Sequence, residues 1–127
     1  MSISFFMISS TPSPILYHII PLPEWKTAGA QNHYEPASIK AEGFIHCSTK
    51  EQLLFPANSM FKGQTNLILL EIEVAKVTHS IVYEDCYEAG ITFPHIYGAL
   101  NLDSVMRTIP FPCQADGSFA LPKEISG

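Results

Sequence analysis

Apolar residues come in short runs fenced by proline, glycine and small polar residues, which predicts short strands and helices rather than long amphipathic helices. Ile15-Leu-Tyr-His-Ile-Ile20, β-branched and aromatic between Pro14 and Pro21, predicts a strand. Pro21 and Pro23 ahead of Glu24-Trp25 suit a helix start, and Gly29 predicts its end. Residues 36–42 predict one or two helical turns stopped by Gly43, with a strand over 43–47 directly after. Ser48 and Glu51 have capping-box spacing, so a helix is expected to start at Ser48, to carry Leu53, Leu54, Ala57 and Phe61, and to kink or split at Pro56. Asn66-Leu-Ile-Leu-Leu-Glu-Ile-Glu-Val74 is the strongest strand, and its continuous apolar half predicts a central position buried on both faces. Further strands are expected over 80–84 and 104–111, and a hairpin-like turn at Asp116-Gly117-Ser118.

These elements predict an α+β fold: a compact, mostly antiparallel, strand-rich core with two or three short helices. One domain over residues 13–122 is expected, with 1–12 a flexible extension and 123–127 a C-terminal tail. The apolar stretch Ile3–Ile8 is too short to span a membrane and lacks the basic flank of a signal peptide.

Composition narrows the function. With 46% hydrophobic and 15% charged residues, the chain has the apolar content of a folded core and not of a disordered segment. Seven basic against twelve acidic residues give a net charge of −5, and Arg107 is the single arginine, which excludes duplex nucleic acid as the main partner. Cys47, Cys86 and Cys113 form no Cys-x-x-Cys pair, so reduced thiols and a cytoplasmic setting are expected.

The candidate chemistry lies in three histidine motifs: Leu-Tyr-His18-Ile, Phe-Ile-His46-Cys-Ser and Phe-Pro-His95-Ile-Tyr. His18 sits mid-strand, sharing a face with Leu16 and Ile20. His46 lies just before the expected helix start, where free N–H groups would attract an anion such as phosphate. His95 is placed in a loop or at the start of a strand, held by Pro94. A Cys47–His46 dyad is disfavoured because strand alternation turns the two apart. No His-x-x-x-His or His-x-His spacing is present, so no metal is expected. Glu84 stands at the exit of a strand, where a carboxylate could orient a histidine or a ribose hydroxyl. His33 and His79 carry no assigned role.

The motifs Glu42-Gly-Phe-Ile-His-Cys-Ser48 and Phe93-Pro-His-Ile-Tyr-Gly98, with Tyr17-His18-Ile19, Trp25, Tyr34-x-Pro36-Ala-Ser38 and Tyr83-Glu84, resemble domain-of-unknown-function family 952 over about residues 14–120. That family is in turn remotely similar to the ADP-ribosyltransferase fold, in particular to the RNA 2′-phosphotransferase branch. The resemblance implies a pocket for NAD or a related nucleotide and ADP-ribosyl transfer or glycosidic cleavage. On that reading His18 holds a ribose hydroxyl, and His46 and Ser48 meet phosphate or the second ribose. Tyr17 or Tyr97 stacks on a base, and His95 or Glu84 steadies charge at the anomeric carbon. RNA phosphotransfer is disfavoured by the lack of arginines, and a non-catalytic small-ligand or protein-binding module is the competing expectation.

Overall fold

The computed structural model describes residues 13–85, 88 and 90–126, so the expected extension over 1–12 lies outside the described residues. The described residues form eight strands and four short α-helices. They are β1 (Ile15–Pro21), α1 (Leu22–Gln31), β2 (His33–Tyr34), α2 (Ala37–Glu42), β3 (Ile45–His46), α3 (Leu54–Met60), β4 (Leu67–Glu73), β5 (Ile81–Glu84), β6 (Phe93–Ile96), β7 (Leu100–Asn101), β8 (Val105–Pro110) and α4 (Lys123–Ser126). Among the described residues all pairings are antiparallel, in sheets ordered β1-β4-β8, β2-β7 and β3-β6-β5.

β4 is the central strand its apolar run predicts, buried from Leu67 through Ile72. Period-two geometry splits its side chains between two cores. Leu16, Ile20, Ile68, Leu70 and Ile72 pack on one face with Tyr34, Ile45, Ile96 and Leu100. Tyr17, Ile19, Leu67 and Leu69 pack on the other with Leu53, Ile109, Phe111 and Phe119. A ladder of polar groups crosses the first sheet: Tyr17 pairs with Glu71 and Glu71 with Arg107. The Tyr17 phenol donates to Glu71 Oε2 at 2.8 Å, and Arg107 Nε donates to Oε1 at 2.7 Å.

Several expected boundaries move. α1 runs past Gly29, where helix interior costs only about 1 kcal/mol against alanine, and closes at Asn32 in the left-handed conformation (φ 64°). The capping box at Ser48 and Glu51 does not form. α3 starts at Leu54 with no side-chain cap. Pro56 explains the delay, since a proline in the first turn forfeits no helical hydrogen bond whereas one further in would. The predicted kink is thereby avoided.

Residues 33–34 and 100–101 pair as a two-residue ladder too short to leave a pattern in sequence. The segment read as a tail forms α4, with Ile125 buried in the second core, which makes a fourth helix. His95 lies within β6, the middle strand of its sheet, although Pro94 cannot donate to a ladder. The proline fits because its nitrogen faces the end of β3, where only its carbonyl is used, by the Cys47 N–H at 3.1 Å.

Candidate functional site

β1 is an edge strand of the first sheet, and a single bridge ties it to the chain leaving β3. Tyr17 donates to the Ser48 carbonyl at 2.8 Å and accepts from the Ser48 N–H at 2.9 Å. Beyond that bridge lies a cleft of about 400 Å³. Tyr17, His18, Ile19 and Pro21 of β1 line it, facing His46, Cys47 and Ser48. Glu24, Tyr34, Pro36, Ala37 and Ser38 contribute from one flank, and Pro56, Met60, Phe61, Gln64 and Phe93 from the other. No lysine or arginine is among these residues.

His18 is the buried polar centre of the cleft. Its Nδ1 lies 2.6 Å from the His46 carbonyl and its Nε2 2.8 Å from the Tyr34 hydroxyl. A carbonyl only accepts, so Nδ1 carries the proton and the neutral ring uses Nε2 to accept from Tyr34. Burial pushes the imidazole pKa down to about 4, against a partial upward pull from the His46 carbonyl. Both nitrogens are committed and the ring is neutral near pH 7. Burial also drives the Tyr34 phenol upward, so it stays protonated and donates.

His46 and His95 are direct cross-strand partners on β3 and β6, with ring centroids 5.4 Å apart. Only His46 lines the cleft. Its Nε2 donates to Glu42 Oε1 at 2.6 Å, linking β3 to the end of α2. His95 is fully buried and stacks on Phe44 at 4.0 Å with an interplanar angle of 12°. Its Nδ1 donates to Glu84 Oε2 at 2.8 Å, and the Tyr97 hydroxyl donates to the same oxygen. Hydrogen bonds from Tyr97 and then His95 hold the Glu84 carboxyl below its usual range. Tyr17, His18, His46 and Ser48 are therefore brought to one cleft. His95, Glu84 and Tyr97 form a separate relay across β5 and β6.

The anion site expected next to His46 is corrected by the late start of α3, which lies eight positions on from His46. Ser48 gives its backbone to the bridge with Tyr17 and not to a helix cap. Cys47 also lines the cleft, and burial pushes its thiol far up, so it is not a ready nucleophile. Among the described residues, no group of three or more His, Cys, Asp or Glu is placed to hold a metal ion.

Sequence reasoning passed over Tyr34, Glu24 and Phe44 as site residues. Phe44 was within reach, because it stands two positions from His46 in the strand expected over 43–47, and the two rings meet at 5.0 Å. Tyr34 stood in a motif of the family resemblance without a role assigned to it, and Glu24 had no local signal.

A profile described as protein of unknown function (DUF952) matches residues 19–108. The chain belongs to this family. The crystal structure of protein CC0527 from Caulobacter crescentus is similar, with 35% identity, 84% of this chain and 94% of that one covered, and a TM-score of 0.76. The solution NMR structure of CC0527 matches at 34% identity over 90% and 98% of the two chains, again with a TM-score of 0.76. A search of curated proteins finds no match. Among the described residues no helix is long and apolar enough to cross a membrane.

Proposed function

We propose that this DUF952 protein is a small-molecule-binding module whose cleft takes a neutral or cationic organic ligand. The observation that carries the reading is His18, neutral and committed at both nitrogens inside the cleft. Such a group is a fixed part of the wall and a poor proton carrier, since general acid–base work needs a pKa near the working pH. The cleft volume of about 400 Å³ falls at the small end of ligand sites, roughly 300–1,000 Å³. Glu24 is its one Asp, Glu, Lys or Arg side chain, so an anionic ligand has no counter-charge there.

NAD fits this wall poorly. The pyrophosphate would meet no lysine and no arginine, the helix that follows His46 starts eight positions on, and Arg107 is engaged with Glu71. ADP-ribosyl transfer retains support from His18 standing beside Tyr17 in the cleft, but Glu84 and His95 lie outside it. We therefore assign no reaction step to NAD.

Titration of the labelled protein with adenosine, nicotinamide riboside, ADP-ribose and NAD tests the reading. Adenosine or nicotinamide riboside should shift resonances of Tyr34 and His18, with the phosphorylated compounds weaker and no nicotinamide released. Tighter binding of ADP-ribose than of adenosine, or turnover of NAD, overturns it.

A further inference from the structure

We propose that the cleft binds a short extended peptide with a free amino end, which pairs with the open edge of β1 at Ile19. This rests on the cleft being a ligand site, as argued above, and names the class of ligand.

In an antiparallel sheet, successive residues point their N–H and C=O to opposite sides. Two contacts at the ends of β1 set the phase: the Val74 N–H donates to the Pro14 carbonyl at 3.0 Å, and the Leu22 N–H to the Asn66 carbonyl at 2.9 Å. Even-numbered positions therefore face β4. Tyr17 faces the other way, as its double bond with Ser48 shows. The register is regular from Ile15 to Pro21, so Ile19 turns its N–H and C=O to the same side as Tyr17, and it lines the cleft. Among the described residues neither group has a hydrogen-bond partner.

The cause is visible in the strand paths. Continuing from the Tyr17–Ser48 bridge, the position opposite Ile19 belongs to His46. The Cys47 N–H is the one that bonds Pro94 on β6, so the His46 backbone groups turn away from β6, but the His46 carbonyl is taken by the His18 ring at 2.6 Å and not by Ile19. The Ile19 N–H and C=O are thereby left without a strand partner, although the residue is only 8% exposed. A backbone pair so placed calls for a partner.

The two groups select their ligand. An N–H and a C=O of one strand residue are met by the N–H and C=O of one extended amino-acid unit, the two-bond arrangement that Tyr17 and Ser48 already make. A ligand in line with residues 46–48 runs antiparallel to β1. Its amino end then points to the end of β1 from which α1 departs, toward Glu24, the lone charged carboxylate of the wall. Met60, Phe61 and Phe93 offer apolar surface to a side chain. This is strand addition combined with capture of an ammonium group.

The test uses the full 15N-labelled chain with valyl-alanyl-valine amide, its N-acetylated form and adenosine. The free-amine peptide should slow hydrogen exchange at the Ile19 amide about tenfold or more at saturation, and acetylation or Glu24→Gln should weaken binding about tenfold. Ile19→Pro removes an N–H that faces away from the ladder, where proline is tolerated, and should abolish peptide binding. Should that variant unfold, the acetylation and Glu24→Gln comparisons decide alone. Peptide binding that leaves Ile19 exchange unchanged overturns the proposal. Adenosine shifting Tyr34 and His18 while the peptide shifts nothing overturns the peptide and keeps the ligand site. No shift in the cleft with any compound overturns both.

Discussion

The ring of His18 donates to the backbone carbonyl of His46 at 2.6 Å, so a side chain does between β1 and β3 what a ladder hydrogen bond does elsewhere. The carbonyl only accepts, so the contact fixes the ring's tautomer and leaves Nε2 to accept from Tyr34 at 2.8 Å. Ring nitrogen shifts should show a protonated Nδ1 and a bare Nε2 across neutral pH. A protonated Nε2 would contradict the assignment.

That burial makes stability depend on pH. The His18 pKa is about 4 in the folded chain against an ordinary 6.5, so the unfolded chain takes up the proton first. Stability is intact above the ordinary value, falls as pH drops from 6.5 toward about 4, and falls no further on account of this residue below that. At about 1.4 kcal/mol per unit the full loss is roughly 3 kcal/mol. Urea denaturation across this window should show the slope, and His18→Asn, which keeps a donor toward His46, should flatten it. An unchanged slope in the variant would assign the effect to other groups.

Tyr34→Phe isolates the other bond of His18. Without the hydroxyl, buried Nε2 is left unsatisfied, a loss of about 1–3 kcal/mol by denaturation. The variant should also lose ligand-induced shifts at His18, because the wall between them is no longer fixed. Stability equal to that of the parent chain would show that the hydroxyl is dispensable.

Tyr17→Phe acts on the other core. Glu71 is nearly buried, and its carboxyl is held low by Arg107 and Tyr17 against the upward push of burial. A carboxyl lowered by folding lends stability that is present above the ordinary carboxylate range and lost as pH falls through the lowered value. Removing the phenol should cost about 1 kcal/mol at neutral pH. The difference from the parent should shrink as pH falls through the lowered Glu71 value, as chemical denaturation over a series of falling pH values would reveal. A difference independent of pH would mean the loss is one of packing alone.

Cys47 is buried and its thiol pushed upward, while Cys113 is partly exposed. Under native conditions iodoacetamide should modify Cys113 and leave Cys47 unmodified until the chain unfolds, as peptide mass analysis can show. Rapid labelling of Cys47 would mean that the cleft opens far more widely than its walls allow here.

Much of the fold is legible in the sequence because period-two alternation and a continuous apolar run act locally. β1, β4, β5 and β8 follow from those patterns, and Gly43 in the left-handed conformation ends α2 where the sequence places it. α3 resisted, since Ser48 and Glu51 make a good local cap but Pro56 sets the register of the helix and Tyr17 claims the Ser48 backbone. β6 resisted because Pro94 is acceptable in a middle strand only where the neighbouring strand has already ended.

The three histidine motifs show the same division. Their residue types and the family they mark are properties of the sequence alone, as is the sharing of a strand face by His18, Leu16 and Ile20. Which histidines meet was decided by tertiary structure. His18 and His46 reach one cleft, while His95 turns to Glu84 and Tyr97. The open edge at Ile19 was decided the same way. Local alternation tells which way a backbone group points, but whether another strand arrives to meet it depends on pairings made far along the chain.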